Sequence, residues 1–469
     1  MKRAFSAKNL WERSPHFVKQ TAGRLVGLAP LPVVLGRSFR ATRRFIHEAQ
    51  WWPAERTTEY QVQMLQKVVR LAYDKSAFYR RIMNEIGFEP GDLKTLDDMR
   101  RLPLIDKNTL RENLNDMTTC DTANAGVDYT STGGSSGAPL EFYIGRERSA
   151  IEYAYLTASW ERIGYSLKSP LAVFRGRVVA SDRRGLRHEW DPIFNHHYYS
   201  TFYMNDESMI RYLEHVGRLG PCMLHVYPSA VAKLAAFIQA RGLEPPRNVR
   251  GVVAESENVY PEQRELVERV LDCRYFSCYG HTEKLVAAAE CEHTSDYHIW
   301  PTYGYFELLD EDGAAVTTPG QLGEIVGTGF INTVTPFIRY RTGDFAEYVG
   351  ERCAECGREH PVIRGLRGHR TQEVLITSDG DEISWTSLNM HDDTFSNVRQ
   401  FQFVQVQPGR AALRVVPMNG FNDADRQKIR QNLDAKLNGR ISIDVTAVDS
   451  ISLTKRGKAV YVDQRIDGL

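Results

Sequence analysis

The sequence predicts an α/β fold, in which a large multi-layer N-terminal α/β domain is joined by a hinge to a small C-terminal α+β domain. Three observations carry this prediction: helical periodicity near the start, alternating β-rich and helical stretches in the middle, and a compact group of strands with one helix at the end. A chain of 469 residues is long enough to bury two such cores. We expect a basic N-terminal extension at 1–50, a large domain at 51–366 and a small mobile domain at 367–469.

The large domain is predicted to open with a helical layer. Apolar residues recur at helical spacing across 57–87, for example at Leu65, Val68 and Val69. Asp106 follows a short loop and precedes another helical pattern, so we expect its side chain to cap that helix.

The middle of the chain alternates between two kinds of segment. Runs rich in β-branched and aromatic residues occur at 171–174, 252–254, 303–309 and 323–327, and helical stretches at 229–241 and 261–271. This alternation is typical of an α/β architecture with a substantial sheet.

The end of the chain has a different layout. We expect strands at 373–377, 401–406, 411–416 and 441–448, a turn at 378–381 and a helix at 423–437. This set predicts a separate small α+β domain, with the hinge near 365–370.

The charge of the chain is balanced overall but uneven along it. Basic and acidic residues number 59 each, so no nucleic-acid partner is expected. Residues 1–44 nevertheless carry ten Lys or Arg residues against the single acidic Glu12. Two interpretations stand: a solvated extension packed on the domain, which is favoured, and an arm in peripheral contact with an anionic membrane surface.

Targeting signals and cysteine usage point to the cell interior. Charged residues interrupt the apolar residues near the N-terminus, so no secretory signal is expected. The most apolar run, 25–35, contains Pro30 and Pro32 and is too short to cross a bilayer. Seven cysteines in so long a chain make no disulfide scaffold, and we expect a cytoplasmic protein, at most peripheral to the inner membrane face.

Four motifs carry candidate chemistry, and the first is a dense Ser/Thr/Gly run before a β-like stretch. It consists of Ser131, Thr132, Gly133, Gly134, Ser135, Ser136 and Gly137. Glycines let backbone N–H groups approach phosphate oxygens, and hydroxyls add donors. The run lacks the Gly-Lys-Ser/Thr ending of a Walker loop, and on its own a flexible loop is the more common interpretation.

The other three motifs offer the remaining groups that nucleotide binding needs. Two are pentapeptides: Tyr279, Gly280, His281, Thr282 and Glu283, and the segment 340–344 that ends at Asp344. They supply an aromatic ring for a base, a glutamate for magnesium and an aspartate for paired ribose hydroxyls. The last motif ends at Lys458, a lysine able to reach a carboxylate and a phosphate together.

In this order and spacing, the four motifs resemble those of the adenylate-forming acyl/aryl-CoA synthetase superfamily, and specifically its phenylacetate-CoA ligase branch. The resemblance runs from around Tyr60 to the end of the chain. Within the branch, the chain is most similar to relatives encoded with capsular polysaccharide biosynthesis genes. The segments 291–293 and 353–358 and the Lys458 motif carry this similarity.

The resemblance implies ATP-dependent activation of a small-molecule carboxylic acid through an acyl-adenylate, followed by acyl transfer to coenzyme A, in surface polysaccharide biosynthesis. ATP/AMP, Mg²⁺ and coenzyme A are the implied cofactors, and both a monomer and a homodimer fit the branch. Two alternatives stay open: an adenylating enzyme with an amine or carrier-protein acceptor, and an inactive nucleotide-binding protein at a membrane assembly. Retention of Lys458, Glu283 and Asp344 together argues against the inactive protein.

The resemblance also assigns roles residue by residue. Residues 131–137 match the loop that holds the β- and γ-phosphates, and 279–283 match the adenine and magnesium motif, with Glu283 at the metal. Asp344 matches the ribose-binding aspartate. Lys458 matches the lysine that bridges the substrate carboxylate and the α-phosphate.

Two departures from the family pattern concern the phosphate loop and the hinge. Leu140 stands where many members carry a lysine, so charge neutralisation must come from elsewhere. The hinge motif reads Gly-His-Arg-Thr-Gln-Glu over 368–373, and Arg370 is assigned the ribose contact. In the family the small domain swings between two half-reactions, which makes the hinge functional.

A separate set of residues predicts a structural zinc site. Cys353 and Cys356 have the spacing of a zinc knuckle, and Cys291 and His298 are the predicted remaining ligands. His298 is preferred to His293, because Glu292 and His293 are expected to cap a turn. Two buried free thiols are the alternative.

Other prominent residues receive structural interpretations. His196 and His197 are assigned to a pocket wall or packed core and not to a metal pair, since adjacent strand residues point to opposite faces. Trp51 and Trp52 are assigned to the core. By the family resemblance, the segments at 225–229 and 254–257 flank the acyl pocket and the nucleotide.

Overall fold

The computed structural model describes residues 16–123, 126–132, 140–368, 373–388, 390, 392–451 and 460–466. The helices in these ranges are α1 (His16–Gly27), α2 (Leu31–Val34), α3 (Gly36–Ala49), α4 (Ala54–Lys75), α5 (Ala77–Glu85), α6 (Lys107–Met117), α7 (Arg148–Trp160), α8 (Asp206–Gly217), α9 (Pro228–Arg241), α10 (Pro261–Leu271), α11 (Trp385–Leu388) and α12 (Asp423–Leu437). Short 3-10 turns lie at Pro90–Asp92, Leu96–Arg101, Glu161–Ile163 and Asp393–Phe395.

The strands in the same ranges are β1 (Val127–Ser131), β2 (Glu141–Gly145), β3 (Leu171–Phe174), β4 (His188–Asp191), β5 (His196–Tyr199), β6 (Cys222–Val226), β7 (Val249–Ala254), β8 (Arg274–Gly280), β9 (Ala287–Glu290), β10 (Tyr297–Ile299), β11 (Gly304–Leu309), β12 (Leu322–Gly329), β13 (Tyr340–Gly350), β14 (Val362–Arg367), β15 (Val374–Ile376), β16 (Glu382–Ser384), β17 (Val398–Gln407), β18 (Arg410–Pro417), β19 (Ser442–Ala447) and β20 (Val462–Gln464).

One twelve-stranded mixed sheet runs through the large domain, in the order β11-β12-β13-β14-β10-β9-β8-β7-β6-β3-β5-β4. Strands β5, β3, β6, β7 and β8 are parallel neighbours, and β8 pairs antiparallel with β9. The predicted α/β class is therefore confirmed. Because parallel strands end at the same edge of a sheet, the segments after β3, β6, β7 and β8 lie side by side.

The predicted helical layer packs on the antiparallel part of this sheet. Leu65 and Val69 of α4 are fully buried in one core with Ile325 of β12. Helix α6 begins where expected, because the Asp106 carboxylate accepts the N–H of Thr109 at 2.8 Å.

Part of the N-terminal segment packs on the large domain. Phe39 and Ile46 of α3 are fully buried, in one cluster with Tyr155 of α7 and with Trp300. Helix α3 therefore contributes to the core beside the sheet. Among the described residues, no helix combines the length and apolar character that crossing a bilayer requires.

The small domain contains a four-stranded sheet in the order β19-β18-β17-β20, and a separate β15-β16 hairpin. The buried core of this domain contains Phe403 of β17, Leu413 of β18 and Leu433 of α12. Phe202 of the large domain belongs to the same cluster. The predicted α+β layout is confirmed, including the bounds of α12.

The two domains meet along the segment that follows β5. The Thr201 and Ser387 hydroxyl oxygens lie 3.1 Å apart, and Arg440 donates to the carbonyl oxygen of Phe202. Gly176 approaches the backbone of Ser387 so closely that an added Cβ would lie 2.6 Å from the Ser387 Cα. In this arrangement the small domain packs directly against the edge of the large sheet.

The prediction that both tryptophans belong to the core is wrong for Trp51, whose surface is 56% exposed. Its ring lies under the Arg358 guanidinium, with the Arg358 Cζ 4.3 Å from the ring centre. Trp52 is half-buried and packs edge-on against Phe45 and Tyr60. Trp51 thus shields the buried Arg358 guanidinium from solvent.

Candidate active site

A cavity of about 580 Å³ opens at the carboxyl ends of the parallel strands. It is lined by Thr132, by the segment after β8 (Tyr279, Gly280, His281, Thr282 and Glu283), by Asp344 of β13 and by Gly368. Three of the four predicted motifs therefore reach one cavity. A crevice at the carboxyl ends of strands is where open α/β sheets bind ligands.

Tyr279 and Asp344 are hydrogen-bonded to each other inside this cavity. The Tyr279 hydroxyl donates to the Asp344 Oδ2 at 2.8 Å. The Asp344 backbone N–H donates to the Thr342 hydroxyl at 3.1 Å, and that hydroxyl donates to the Ile325 carbonyl oxygen at 2.7 Å. Burial and the neighbouring Asp344 raise the pKa of Tyr279 well above its usual value, so the ring stays a neutral donor. The aspartate is thus held in one orientation.

Glu283 and His281 both line the cavity. Glu283 is buried, and the chain beyond it packs closely against β11, since a Cβ on Gly304 would lie 1.9 Å from the Leu285 carbonyl oxygen. Neither ring nitrogen of His281 has a hydrogen-bond partner among the described residues. Burial lowers the pKa of His281 to about 4, although Asp344 acts in the opposite direction. His281 is therefore a neutral ring with hydrogen-bonding capacity left for a ligand.

The first residue of the hydroxyl-rich run, Ser131, ends β1, which pairs antiparallel with β2. Thr132 and Leu140 pair just beyond the end of these strands, with Thr132 donating its N–H to the Leu140 carbonyl at 2.8 Å and accepting the Leu140 N–H on Oγ1 at 3.0 Å. Ser131 and Thr132 are both buried. Leu140, at the position where many members of the superfamily that the motifs resemble carry a lysine, is fully buried in the core and so contributes no charge to the site.

Several predicted site residues lie outside the described part of the chain. They are Gly133, Gly134, Ser135, Ser136, Gly137, Arg370 and Lys458. Their assignments remain predictions. The described neighbour of Arg370, Gly368, lines the cavity and donates its N–H to the Asn258 Oδ1 at 3.0 Å.

Sequence reasoning missed a charged network beside the cavity. Arg175, directly after β3, donates to the Glu255 Oε2 at 2.9 Å and to the Ser256 hydroxyl at 2.7 Å, and its NH1 lies 2.6 Å from His225 Nε2. Burial alone would raise the pKa of Glu255, but His225 and Arg175 outweigh it and hold that pKa at about 2. The family resemblance pointed to the segments of His225 and Glu255. No sequence pattern pointed to Arg175, which only the sheet order brings beside them.

A second cavity of about 370 Å³ adjoins the first and shares Arg175, Tyr227 and Glu255 with it. Its wall also contains His196, as predicted for a pocket-wall residue, and Tyr198. The buried His196 Nε2 has no hydrogen-bond partner among the described residues. This cavity is therefore both aromatic and polar.

The four predicted zinc ligands lie together beyond the end of β9. One ligand atom each from Cys291, His298, Cys353 and Cys356 lies within 4.8 Å of all the others. The Cys291 and Cys353 sulfurs are 3.8 Å apart, close to the edge of about 3.8 Å that tetrahedral Zn–S bonds of about 2.3 Å require. The Cys356 sulfur lies 4.0 Å from each ring nitrogen of His298. The donor set and spacing fit zinc.

The residues beside this cluster have their own partners. Both carboxylate oxygens of Glu292 accept from Arg358 NH1 at 2.7 Å. The His293 N–H donates to the Cys291 sulfur at 3.4 Å. His298 and not His293 therefore completes the cluster.

Comparisons with known proteins agree with this architecture. The CapK C-terminal domain family matches residues 375–465. A phenylacetate-coenzyme A ligase of Thermus thermophilus is 25% identical over 358 residues, covering 70% of this chain and 74% of the relative. Protein CapK of Staphylococcus aureus is 22% identical over 415 residues, covering 87% of this chain and 89% of the relative.

A solved structure shares the fold. It is 2-hydroxyisobutyryl-CoA ligase in an open conformation, in complex with 2-HIB-AMP and CoA. The TM-score is 0.55 at 21% identity, and the match covers 88% of this chain and 94% of that one. The two-domain arrangement is thus one that known ligases adopt.

Proposed function

We infer that the chain belongs to the phenylacetate-CoA ligase-like branch of the adenylate-forming enzymes, near CapK, and propose that it activates a carboxylic acid with ATP and transfers the acyl group to coenzyme A. One observation carries the proposal: Thr132, Tyr279 to Glu283 and Asp344, which are far apart in sequence, line a single cavity at the carboxyl ends of the sheet.

The geometry suggests a position for the nucleotide. We assign the fixed Asp344 carboxylate to the ribose hydroxyls and the Tyr279 ring to the adenine, since the two side chains are hydrogen-bonded at 2.8 Å. Thr132, near the start of the hydroxyl-rich run, lines the same cavity. Magnesium held at Glu283 would neutralise phosphate charge, a role that Leu140 cannot fill.

The chemical step then follows from the charges that develop. The substrate carboxylate attacks the α-phosphorus, the bond to the β-phosphate oxygen breaks, and pyrophosphate leaves. We assign Lys458 to neutralise the charge on the phosphoryl oxygens during this step. A swing of the small domain would then expose the acyl-adenylate to the thiol of coenzyme A.

We place the acyl group of the acid in the second cavity. That cavity shares Arg175 and Tyr227 with the nucleotide cavity, so an acid seated there points its carboxylate toward the α-phosphate. The His196 Nε2 without a partner among the described residues favours an acid with a polar substituent over a purely hydrocarbon one.

We also propose that zinc occupies the cluster of Cys291, His298, Cys353 and Cys356. Four protein ligands form a closed structural site. The cluster ties the loop between β13 and β14 to the segment between β9 and β10. Zinc there would stiffen the strands that follow the adenine motif.

The test is carboxylate-dependent exchange of labelled pyrophosphate into ATP, with a panel of aryl, hydroxyaryl, fatty and hydroxy acids. We expect exchange with at least one acid, fastest for one with a polar substituent. Adding coenzyme A, an amine or a carrier protein then identifies the acceptor. Absence of exchange with every acid, in folded protein that still binds ATP, would favour the inactive nucleotide-binding protein.

Lys458→Ala tests the assigned lysine. We expect exchange to fall by about 100-fold or more while ATP affinity changes little, because the lysine acts on charge that develops in the transition state. The exposed Lys67→Ala on α4 is the matched control. Equal exchange rates in the two variants would contradict the assignment.

A membrane role for the N-terminal arm rests on a separate observation. Leu25, Leu28 and Val33 are 67%, 82% and 56% exposed, in a segment that also carries Arg24 and Arg37. Exposed apolar residues beside basic ones suit an anionic membrane surface. Co-sedimentation with phosphatidylserine vesicles should therefore weaken when Leu25 and Leu28 are changed to Ser, and vesicle binding that is unaffected would exclude this contact.

A further inference from the structure

Three histidines from separate elements lie close together, and none of them lines either cavity. His188 lies on β4, His197 on β5 and His215 on α8. One ring nitrogen from each lies within 4.8 Å of the other two. The adenylation site uses none of them.

The strand pairing explains why two of these side chains meet. In the antiparallel β4-β5 pair, His188 is opposite Tyr199, and His197 is two residues before Tyr199. Residues two apart on a strand share a face, so His188, His197 and Tyr199 all face the same side. Helix α8 covers that face and brings His215 to within 4.2 Å of His188, measured between ring centres.

The distances suit a metal with nitrogen ligands. His188 Nε2 and His197 Nδ1 are 3.0 Å apart. Two Zn–N bonds of about 2.0–2.1 Å span about 2.9–3.4 Å at the usual angles. The Tyr199 hydroxyl lies 2.8 Å from His215 Nδ1, which leaves Nε2 as the ring nitrogen available for coordination. A hydrogen bond of this kind on the second nitrogen orients metal-binding histidines in proteins.

We propose that His188, His197 and His215 form a second zinc site, separate from the cysteine cluster, in which water completes the coordination. Imidazole ligands suit zinc, and three protein ligands leave one position of a tetrahedral site open. The site does not depend on the proposed adenylation activity.

Metal bound at this site would affect the contact between the two domains. The site joins β4, β5 and α8, and the segment between β5 and α8 contains Thr201 and Phe202, which contact the small domain. Tyr212 of α8 also donates to the Ser200 carbonyl at 3.1 Å. Zinc would therefore stabilise the surface on which the small domain packs.

The test counts zinc per chain by equilibrium dialysis and elemental analysis, on untagged protein that has been stripped of metal. We expect two zinc ions per wild-type chain, one fewer in Cys356→Ser and one fewer in His215→Gln. His196→Gln is the matched control, because His196 is adjacent to His197 but faces the second cavity. Tyr199→Phe should weaken the histidine site by about 10–100-fold without abolishing it.

Two outcomes would overturn the proposal. One is a folded His215→Gln protein that binds as much zinc as the wild type. The other is a Cys356→Ser protein that binds no zinc although the wild type does. This outcome can be observed without any histidine variant. If His215→Gln fails to fold, thermal unfolding of Cys356→Ser with and without added zinc decides, since the proposal requires zinc to raise its midpoint.

Discussion

At the scale of single residues, Asp344 shows how a short motif becomes a fixed site. Its pentapeptide resembles many turns and already contains Thr342, whose hydroxyl accepts the Asp344 backbone N–H. Only the fold supplies the Tyr279 hydroxyl, which donates to the carboxylate. A carboxylate already oriented by that hydrogen bond loses little freedom when it accepts two ribose hydroxyls. The energy of those charged hydrogen bonds is then available for binding.

We predict that Asp344→Asn raises the KM for ATP by about 10–100-fold, because hydrogen bonds to charged groups contribute roughly 1.5–3 kcal/mol. Steady-state exchange kinetics at varied ATP would measure this change. The control is Asp312→Asn, which alters an exposed turn between β11 and β12. An unchanged KM would remove Asp344 from the nucleotide site.

His281 makes a pH-dependent contribution of known sign. Its pKa in the folded protein is about 4, below the ordinary value of 6.5, mainly because the ring is buried. The unfolded chain therefore binds more protons between these values, and stability falls as the pH decreases through them. From pH 7 to pH 5 this residue alone should cost roughly 2 kcal/mol.

The measurement compares wild type with His281→Gln by urea unfolding at pH 7 and pH 5. The wild type should lose about 2 kcal/mol more than the variant over this interval, because glutamine does not titrate. A parallel loss in both proteins would show that His281 is not buried as a neutral ring.

At the scale of secondary structure, elements with clear end signals were predictable from the sequence. Helix α10 begins with Pro261 in its first turn, and α12 begins after an Asn422 cap and ends at Asn438 in a left-handed conformation. Both helices have the predicted bounds. Such signals are local, and the sequence contains them in full.

Elements whose partners are distant in sequence were not predictable. The interpretation of His197 was correct in excluding a pair with His196, but it could not include His188 across the strand pair or His215 on α8. Arg175 was missed for the same reason. The cysteine cluster could be predicted because two of its ligands, Cys353 and Cys356, have a spacing that is recognisable in the sequence.

The cysteine cluster leads to a prediction about four neighbouring elements. Cys356→Ser should remove one zinc ion per chain and lower the melting temperature, because β9, β10, β13 and β14 lose their shared ligand set. Elemental analysis and thermal unfolding would measure both effects. Cys120→Ser, at an exposed cysteine, is the control. A metal-free wild type that melts at the same temperature would exclude a structural zinc.

At the scale of the whole molecule, the two domains share a contact that is suited to breaking and re-forming. It combines a few polar pairs with one inserted side chain, Phe202. The Ser384 hydroxyl donates to Glu257 at 2.8 Å, and Lys233 pairs with Glu382 at 3.2 Å. Pairs of this kind contribute little each, so the cost of separating the domains lies mainly in Phe202 and in the buried hydrogen bonds of Thr201 and Arg440.

A reversible disulfide across this contact tests whether movement of the small domain is needed for turnover. The Thr201 and Ser387 hydroxyl oxygens are 3.1 Å apart, so cysteines at both positions should form a disulfide that holds the domains as they are here. With the disulfide closed, we expect formation of the acyl-CoA thioester to fall at least about tenfold, because the two half-reactions require different domain orientations. Dithiothreitol should restore the rate.

Each single-cysteine variant, oxidised in the same way, controls for the loss of the hydroxyl groups. Pyrophosphate exchange measures the adenylation half-reaction separately and shows which step the disulfide blocks. Thioester formation that is equally fast in the oxidised and reduced double variant would mean that one orientation supports both steps. The small domain would then be a fixed wall of the active site, and the hinge at 365–370 would have no role in catalysis.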